Sequence, residues 1–198
     1  SGIHLAKEIL LNKSSEVNPD QIVATLGLPL FVKPNASGSS FGVTKVKTQA
    51  ELLPAIQEAF KESDQVLMEE FIEGREISCG VMIAGGKEYV FPITELVSQK
   101  EFFDYEAKYQ GLSREITPAD LPEAVRKEVN RLTLIAYKRL NCRGVVRIDF
   151  IIKGDTPYMI EINTIPGMSS HSIIPQQAAA MGMSLTELFN LIIADTSK

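Results

Sequence analysis

The chain has 198 residues, of which 44% are hydrophobic and 23% charged, as in one globular domain or two small lobes that share a core. Its net charge of −5, with lysines and arginines scattered rather than clustered, excludes the basic patch typical of nucleic-acid binding. The longest apolar runs are too short to cross a bilayer and the first residues lack the pattern of a secretory leader, so we expect no membrane partner.

The first half of the chain predicts helices and strands in alternation. In chain order, hydrophobic periodicity predicts a helix over residues 3–13, a helix over 19–26 that ends at Gly27, a hairpin of strands over 28–34 and 41–47, and an amphipathic helix over 50–63. Three strand-like runs follow, over 65–72, 75–84 and 87–96. The Gly85-Gly86 pair between the last two runs is typical of a hairpin turn.

The second half begins with residues 98–118, which are polar, aromatic and weakly periodic and therefore predict a long loop. The later patterns predict a helix over 122–140, strands over 144–152 and 157–163 around a GDTP turn, and a helix over 184–195. Ser184 and Glu187 form a capping-box pattern at the start of the last helix. Helices interleaved with antiparallel hairpins indicate an α+β fold rather than a doubly wound sheet.

Cys79 and Cys142 lie in apolar or strand-like surroundings and lack the spacing of metal ligands. Free thiols in a reducing compartment explain such a pair better than a disulfide does. We therefore expect a cytoplasmic protein.

Two segments of the first half have the residue types that contact a nucleotide. KPNASGSSFG (33–42) combines a lysine with glycines and serines, whose backbone N–H groups can approach an anion closely. The order of a Walker A loop is absent, and a flexible hairpin loop is the alternative. VLMEEFIEGREIS (66–78) brings four glutamates together, either as acceptors for a sugar or an amine or as solvated charges at a sheet edge.

The stretch EFFDYEAKYQG, residues 101–111, places four aromatic side chains and a lysine in the predicted loop. A lysine on a closing lid can neutralise transferring phosphates once substrate has bound. The alternative is a loop whose aromatic side chains pack as a small additional core. These residues alone leave both interpretations open.

Four polar residues interrupt two otherwise apolar strands near the C-terminus. Arg147 and Asp149 share one face of a strand, and so do Glu161 and Asn163, because side chains two residues apart point the same way. If these strands pair around the GDTP turn, two carboxylates and an amide oxygen come together, a set suited to Mg²⁺ that bridges substrate phosphates. The arginine beside them suits a developing negative charge. The alternative is an ion pair between Arg147 and Glu161 on a solvated face. We favour the metal, because charges within apolar strands need partners.

In this order, the segments resemble the ATP-binding part of the D-alanine–D-alanine ligases, a family of the ATP-grasp superfamily. The resemblance covers about residues 28–192 and rests on VKPNASGSSFGVTKV, EEFIEGREI, FFDYEAKY, GVVRIDF and EINTIPGMSSHS. It implies an ATP-grasp fold in which two α+β lobes with antiparallel sheets, residues 1–97 and 98–198, enclose the nucleotide. Residues 98–118 would form the lid.

The resemblance also implies a role for each matching residue. For ATP, it implies phosphate contacts from Lys33 and Lys108, adenine contacts from Glu69 and the backbone of Phe71 and Ile72, and ribose contacts from Glu76. For the metal, it implies two Mg²⁺ ions, replaceable by Mn²⁺, held by Asp149, Glu161 and Asn163. For the reaction, it implies stabilisation of the tetrahedral intermediate by Arg147 and the Gly167 backbone N–H, binding of the acceptor carboxylate by Ser172, and a lid-closing hydrogen bond between Ser39 and Tyr109.

The activity implied by the resemblance is the ATP- and Mg²⁺-dependent joining of two D-alanines through an acyl phosphate, a step of peptidoglycan precursor synthesis. Tyr109 favours a dipeptide product, because family members that form depsipeptides tend to have histidine there. ATP and D-alanine are then the small-molecule partners. The resemblance is also compatible with a homodimer of the full-length protein.

Two features depart from the family pattern. The family's N-terminal α/β domain, which supplies a glutamate near the first D-alanine, has no counterpart in this chain. Ala6 stands where the family has an aspartate, so no role is assigned to Lys7. His4 lies near the terminus, and a loop histidine such as His171 is more often a positional hydrogen-bonder than a ligand or base, so neither is assigned a role. We therefore expect an incomplete enzyme that binds Mg·ATP but has little ligase activity alone.

Two other functions remain as alternatives. The first is an ATP-grasp ligase for another amino acid or a hydroxy acid, which a substrate screen distinguishes because the ATP-site residues are shared and the acceptor contacts differ. The second is a non-catalytic nucleotide-binding module, which the intact polar set at 147, 149, 161 and 163 disfavours.

Overall fold

A computed structural model describes residues 2–36, 42–98 and 113–196 of the chain. In chain order the described elements are β1 (His4–Leu5), β2 (Glu8–Asn12), α1 (Pro19–Leu26), β3 (Leu30–Pro34), β4 (Thr44–Val46), α2 (Gln49–Glu62), β5 (Gln65–Glu70), β6 (Arg75–Ala84), β7 (Lys87–Val90), β8 (Thr94–Ser98), β9 (Ser113–Ile116), α3 (Glu123–Arg139), β10 (Val146–Lys153), β11 (Thr156–Asn163), α4 (Ile173–Ala180) and α5 (Leu185–Thr196). The mixture of helices and strands and the predominance of antiparallel strand pairs agree with the α+β fold predicted from the sequence.

The chain divides into two compact units. We call residues 6–72 with 98–112 the N-terminal unit, and residues 1–5, 73–97 and 113–198 the C-terminal unit. The expected lobes, 1–97 and 98–198, remain a prediction. Within the C-terminal unit, residues 75–81 of β6 pair with β10.

The N-terminal unit is a four-stranded antiparallel sheet in the order β2-β5-β3-β4, with α1 and α2. Its core is apolar: Leu30, Val32 and Met68 of the sheet are fully buried and form one cluster with Leu52 of α2. α1 begins at its N-cap Asn18, whose side chain accepts a hydrogen bond from the backbone of Gln21, and it ends at Gly27, as predicted. The predicted hairpin of β3 and β4 is also confirmed.

The predicted helix over residues 3–13 is wrong, because the structure has the two short strands β1 and β2 there. Ile9 and Leu11 alternate with exposed neighbours, and Leu11 is buried in the core of the N-terminal unit. The same apolar residues fit a helical and a strand pattern, and pairing with β5 decides in favour of the strand.

The C-terminal unit is a sheet in the order β1-β11-β10-β6-β8-β9, with β7 also paired to β6. One face of β6 carries Ile77, Cys79 and Val81, which pack in one cluster with α3. Alternation puts Ser78, Gly80 and Met82 on the opposite face, where Met82 packs in a second cluster with residues of α4 and α5. β10 therefore also has one face toward each helix layer, which decides where its polar side chains lie.

Further predictions about the C-terminal unit have mixed outcomes. The GDTP hairpin and the Gly85-Gly86 hairpin are confirmed. The capping box of α5 is also confirmed, because Glu187 N donates to Ser184 Oγ at 3.2 Å and Ser184 N donates to Glu187 Oε2 at 2.8 Å. The single strand predicted over 87–96 is wrong, since residues 91–93, which include Pro92, separate β7 from β8. The loop predicted over 98–118 contains β9, and α4 was not predicted.

Two features of the described residues concern the requirements of a membrane span and of a disulfide. No single helix among them is both long and apolar enough to span a bilayer, whereas α4 and α5, bent by 108°, meet the length and composition criteria only as a pair. Cys79 is buried, Cys142 is half-buried, and both are free thiols.

Candidate active site

Lys33 and Glu69, both predicted to contact ATP, lie on neighbouring strands of the N-terminal unit. In the antiparallel pairing of β3 with β5, Phe31 lies opposite Glu69 and Lys33 opposite Leu67, so Lys33 and Glu69 are diagonal neighbours on one face. Their charged groups form an ion pair, and the side chains are 27% and 18% exposed. The sheet therefore presents one partly accessible cation and one acceptor side by side.

Phe71 and Ile72 directly follow β5. The Phe71 ring meets Phe31 edge to face, with 5.8 Å between ring centroids, and Lys45 Nζ lies 3.9 Å from the Phe71 centroid. Ile72 is buried. These contacts fix the side chains of the two residues whose backbone is predicted to contact the adenine, and Lys45 is a contact that the sequence did not reveal.

Asp149 is the most buried charged group of the candidate site, with 6% of its surface exposed. Its Oδ1 accepts hydrogen bonds from Ser78 Oγ and, at 2.9 Å, from Arg147 Nε. Its Oδ2 accepts from Arg147 Nη2 at 2.8 Å and from Asn163 Nδ2 at 2.9 Å. The carboxylate is thus held from three sides by groups on β6, β10 and β11.

The predicted juxtaposition of Asp149 with Glu161 and Asn163 is observed. Asp149 lies opposite Glu161 in the β10–β11 register, and Asn163 Nδ2 donates both to Asp149 Oδ2 and, at 3.2 Å, to Glu161 Oε1. One amide therefore lies between two carboxylates and partly offsets their negative charge. Carboxylates and amide oxygens are ligands of the kind that Mg²⁺ takes in proteins, and in this structure the Asn163 NH2 group faces the two carboxylates.

A purely protein-based metal cage is not present in the described part of the chain. No group of three or more His, Cys, Asp or Glu side chains there has the arrangement of a metal site. The donors Asp149, Glu161 and Asn163 number two carboxylates and one amide, which fits an ion that keeps further positions for phosphate oxygens and water.

Arg147 pairs with Asp149 on its own strand. Both of its hydrogen-bonding partners in the described structure are oxygens of Asp149, so the alternative ion pair with Glu161 is not formed among the described residues. Burial lowers the pKa of Arg147, but the hydrogen bonds and charge of Asp149, together with the charges of Glu161 and Glu115, outweigh burial and raise that pKa. The guanidinium therefore stays a fixed positive charge beside the carboxylates.

Gly167 and Ser172, predicted to act on the intermediate and the acceptor, are brought together by the loop between β11 and α4. A Cβ atom on Gly167 would lie 2.8 Å from Ser172 Oγ, so a larger residue there would require the Ser172 hydroxyl to move. Ser172 is the N-cap residue of α4, and its hydroxyl is 2.9 Å from Ser169 Oγ. The serine hydroxyl thus lies directly against the glycine.

Four further residues have predicted roles. Glu76 is a half-buried residue of β6 in the C-terminal unit, opposite Ile151 and Leu96. Ser39, Lys108 and Tyr109 lie outside the described residues.

Residues that the sequence did not indicate also contribute to the site. Ser78 donates to Asp149, and Gln176 Nε2 donates to Glu115 Oε2 at 2.6 Å and to the His171 carbonyl at 2.8 Å. A serine inside the apolar run REISCGVMIA was the available signal for the first, because a buried hydroxyl needs a partner. No local pattern indicates the second, which links residues 61 positions apart.

Comparison with known families gives a match over nearly the whole chain. The family model described as "D-ala D-ala ligase C-terminus" matches residues 2–194. A D-alanine–D-alanine ligase of Phocaeicola vulgatus is 51% identical over 193 residues, which are 97% of this chain and 60% of that protein. One of Flavobacterium johnsoniae is 50% identical over 188 residues, 95% of this chain and 58% of that protein. The chain spans about three fifths of the length of these relatives.

Solved structures give the same result for the fold. A D-alanine–D-alanine ligase from Bacillus anthracis complexed with ATP has a TM-score of 0.84 and 32% identity, and the match covers 99% of this chain and 61% of that one. The VanG D-Ala:D-Ser ligase from Enterococcus faecalis has a TM-score of 0.85 and 34% identity, covering 97% of this chain and 57% of that one. The predicted α+β ATP-grasp fold class is confirmed.

Proposed function

The chain belongs to the D-alanine–D-alanine ligase C-terminus family, and on that premise we propose that it is the ATP- and Mg²⁺-binding part of a ligase that joins two D-alanines. The observation that carries the proposal is the Asp149 cluster, in which two carboxylates and an amide converge beside a fixed arginine. Arg147 pairs with Asp149, and Glu161 adds a second carboxylate beside this pair, so a bound cation would balance the remaining negative charge.

The nucleotide would be bound by the residues that the family resemblance indicates. Lys33 would contact the phosphates, and Glu69 with the backbone of Phe71 and Ile72 would contact the adenine. Support comes from the Lys33–Glu69 pair, which offers a donor and an acceptor on one sheet face. Glu76 would bind the ribose hydroxyls, and Lys108 would add a phosphate contact from the lid.

Asp149, Glu161 and Asn163 would hold two Mg²⁺ ions. When bound, these ions supply charge neutralisation for the transferring phosphoryl group. The protein's own contribution is to hold the oxygens of Asp149 in one orientation and to keep water ordered around few open positions. Mn²⁺, which also takes oxygen ligands, would bind the same set.

The reaction divides into two displacements. A carboxylate oxygen of the first D-alanine attacks the γ-phosphorus of ATP, forming an acyl phosphate and releasing ADP. The amine of the second D-alanine then attacks the acyl carbon, loses a proton, and expels phosphate. Arg147 and the Gly167 N–H would stabilise the negative oxygen of the tetrahedral intermediate, and Ser172 would bind the acceptor carboxylate.

The lid and the cellular setting complete the proposal. A hydrogen bond between Ser39 and Tyr109 would hold the lid closed and keep water from the acyl phosphate. The dipeptide product would serve peptidoglycan precursor synthesis in the cytoplasm. The full-length protein would form a homodimer, which light scattering of that protein would test.

The metal assignment is tested by isothermal titration of ATP, with Mg²⁺ and with a chelator, into the wild type and Glu161→Gln. We expect Mg²⁺ to tighten ATP binding to the wild type. The ratio of the ATP affinity with Mg²⁺ to that with the chelator should fall at least about tenfold in the variant, because one carboxylate ligand is lost. The control is Glu128→Gln, which removes an exposed carboxylate on α3 that pairs with Arg131. Equal ATP affinity with and without Mg²⁺ in the wild type would contradict the assignment.

A second candidate acceptor is D-serine, because a D-Ala:D-Ser ligase matches this chain with a TM-score of 0.85. Product analysis after incubation of the full-length protein with ATP, D-alanine and D-serine distinguishes the two. The dipeptide of two D-alanines is the expected product, and a mixed D-alanine–D-serine product would favour the second candidate. We expect the 198-residue chain alone to release phosphate far more slowly than the full-length protein.

A further inference from the structure

Gln177, in α4, is a fully buried polar residue with a complete set of partners. Its Oε1 accepts a hydrogen bond from the Gly80 backbone N–H at 3.0 Å. Its Nε2 donates to the Ser78 carbonyl at 2.9 Å and to Thr94 Oγ1 at 3.0 Å. One side-chain amide on a helix thus bonds two strands, β6 and β8.

These bonds occupy a gap in the strand pairing of β6. β8 pairs with residues 76–78 of β6, and β7 pairs with residues 81–84. The Gln177 amide bonds the backbone between those two stretches, with one acceptor and one donor as in a peptide group. It therefore satisfies backbone groups that would otherwise be buried without partners.

The helix can approach this closely only because residue 80 is glycine. A Cβ atom on Gly80 would lie 2.5 Å from Ile174 Cδ1 and 2.6 Å from Gln177 Oε1. Ile174 and Gln177 are three residues apart on α4, so they face β6 together, and both are fully buried. The position of α4 against β6 is thus fixed by contact as well as by hydrogen bonds.

The same stretch of β6 leads directly to Asp149. The backbone carbonyl of Ser78 accepts from Gln177, while the hydroxyl of Ser78 donates to Asp149 Oδ1. α4 also starts at Ser172, its N-cap residue, which lies against Gly167. The buried hydrogen bonds Gln177–Ser78–Asp149 therefore join the middle of α4 to the carboxylate of β10.

We propose that Gln177 and Ser78 are positioning residues, which hold the Asp149 carboxylate and α4 in the one relative arrangement that metal binding requires. The proposal rests on the proposed function, since it concerns how the metal ligand Asp149 is oriented. Neither residue is among those proposed to contact the substrates. Gln177 fixes the backbone of Ser78, and Ser78 fixes the oxygen of Asp149 that faces away from Asn163.

The test measures ATP affinity with Mn²⁺ and with a chelator by titration calorimetry, for the wild type, Gln177→Met, Gln177→Glu and Ser78→Ala. We expect the gain in affinity from Mn²⁺ to fall about tenfold in Gln177→Met and Ser78→Ala, because groups that hydrogen-bond a metal ligand fix its orientation. Affinity measured with the chelator should be unchanged. Gln177→Glu should recover part of the gain, because a buried, protonated glutamate keeps one acceptor and one donor.

The matched control is Leu188→Ala, which removes a fully buried side chain of α5 without removing a bond of this network. It should lower the unfolding temperature and leave the Mn²⁺ gain as in the wild type. The proposal is overturned if Ser78→Ala and any folded Gln177→Met keep the full gain, or if Leu188→Ala loses as much. A wild type with no Mn²⁺ gain would instead overturn the proposed function, and this inference with it.

Discussion

At the scale of single residues, the candidate site depends on how the charge of Asp149 is compensated. A carboxylate that is 6% exposed is costly unless it is paired and hydrogen-bonded. Arg147 supplies the opposite charge through two nitrogens, and Ser78 and Asn163 add neutral donors. Glu161, on the neighbouring strand, has no such cation among the ion pairs of the described residues. Asp149 and Glu161 together therefore keep a net negative charge that a metal ion would balance.

Replacing Arg147 with methionine should therefore destabilise the fold. Asp149 would remain buried without its cation, which typically costs about 3 kcal/mol. Arg75→Met is the matched control, because Arg75 makes a similar two-nitrogen pair with Glu95 but is 43% exposed, and exposed pairs contribute below about 1 kcal/mol. Urea unfolding of both variants measures the difference, and equal losses would show that burial of the Asp149 pair is unimportant.

At the scale of secondary-structure elements, the β10–β11 hairpin sets the site. Its register places Asp149 opposite Glu161 and Arg147 opposite Asn163, so the four polar side chains fall on one face. The central position of β10, between β11 and β6, adds Ser78 to the same face. In the segment EEFIEGREI, Gly74 directly precedes β6, the strand that pairs with β10.

Gly74→Ala should disrupt the entry of the chain into β6. A Cβ atom there would lie 2.3 Å from the Ile152 carbonyl oxygen and 2.8 Å from its carbon, so backbone rather than a flexible side chain must move. Overpacking of this kind typically costs about 1–3 kcal/mol. Thermal unfolding measures the loss, with the exposed neighbour Glu73→Ala as the control, and an alanine variant as stable as the wild type would contradict the geometry.

At the scale of the whole molecule, each unit has its own buried core. Leu30, Val32 and Met68 belong to the core of the N-terminal unit, whereas Ile148 and Phe150 belong to that of the C-terminal unit. Each core is large enough to bury its own sheet on one face. Lys33 and Glu69, proposed for the nucleotide, lie in the N-terminal unit, whereas Glu76 and the proposed metal ligands Asp149, Glu161 and Asn163 lie in the C-terminal unit.

Thiol reactivity tests the packing of the C-terminal core. Cys79 is fully buried, and burial, reinforced by the charge of Asp149, raises its pKa to about 12, so it should not react with a thiol reagent in the native state. Burial also raises the pKa of Cys142, which should react slowly. The Cys142→Ser variant isolates Cys79: its reaction should require unfolding with guanidinium, and rapid labelling of the native variant at pH 8 would contradict the packing.

The sequence by itself determined the features that depend on local periodicity and on residue type. Helices α1, α2, α3 and α5, the hairpins at Gly85-Gly86 and GDTP, and the approach of Asp149 to Glu161 and Asn163 follow from spacing alone. The reason is that each is set by neighbours close in the chain or by the alternation of a strand. The specific motifs, read together, also indicated the family that the comparisons establish.

Only the tertiary structure decided the rest, because it depends on which distant segments meet. The stretch 3–13 has apolar residues that suit either a helix or a strand, and pairing of β2 with β5 selects the strand. The partner of Arg147 is likewise chosen by burial beside Asp149 rather than by its spacing from Glu161. The amide of Gln177 meets Ser78 across 99 positions, a contact that no local pattern encodes.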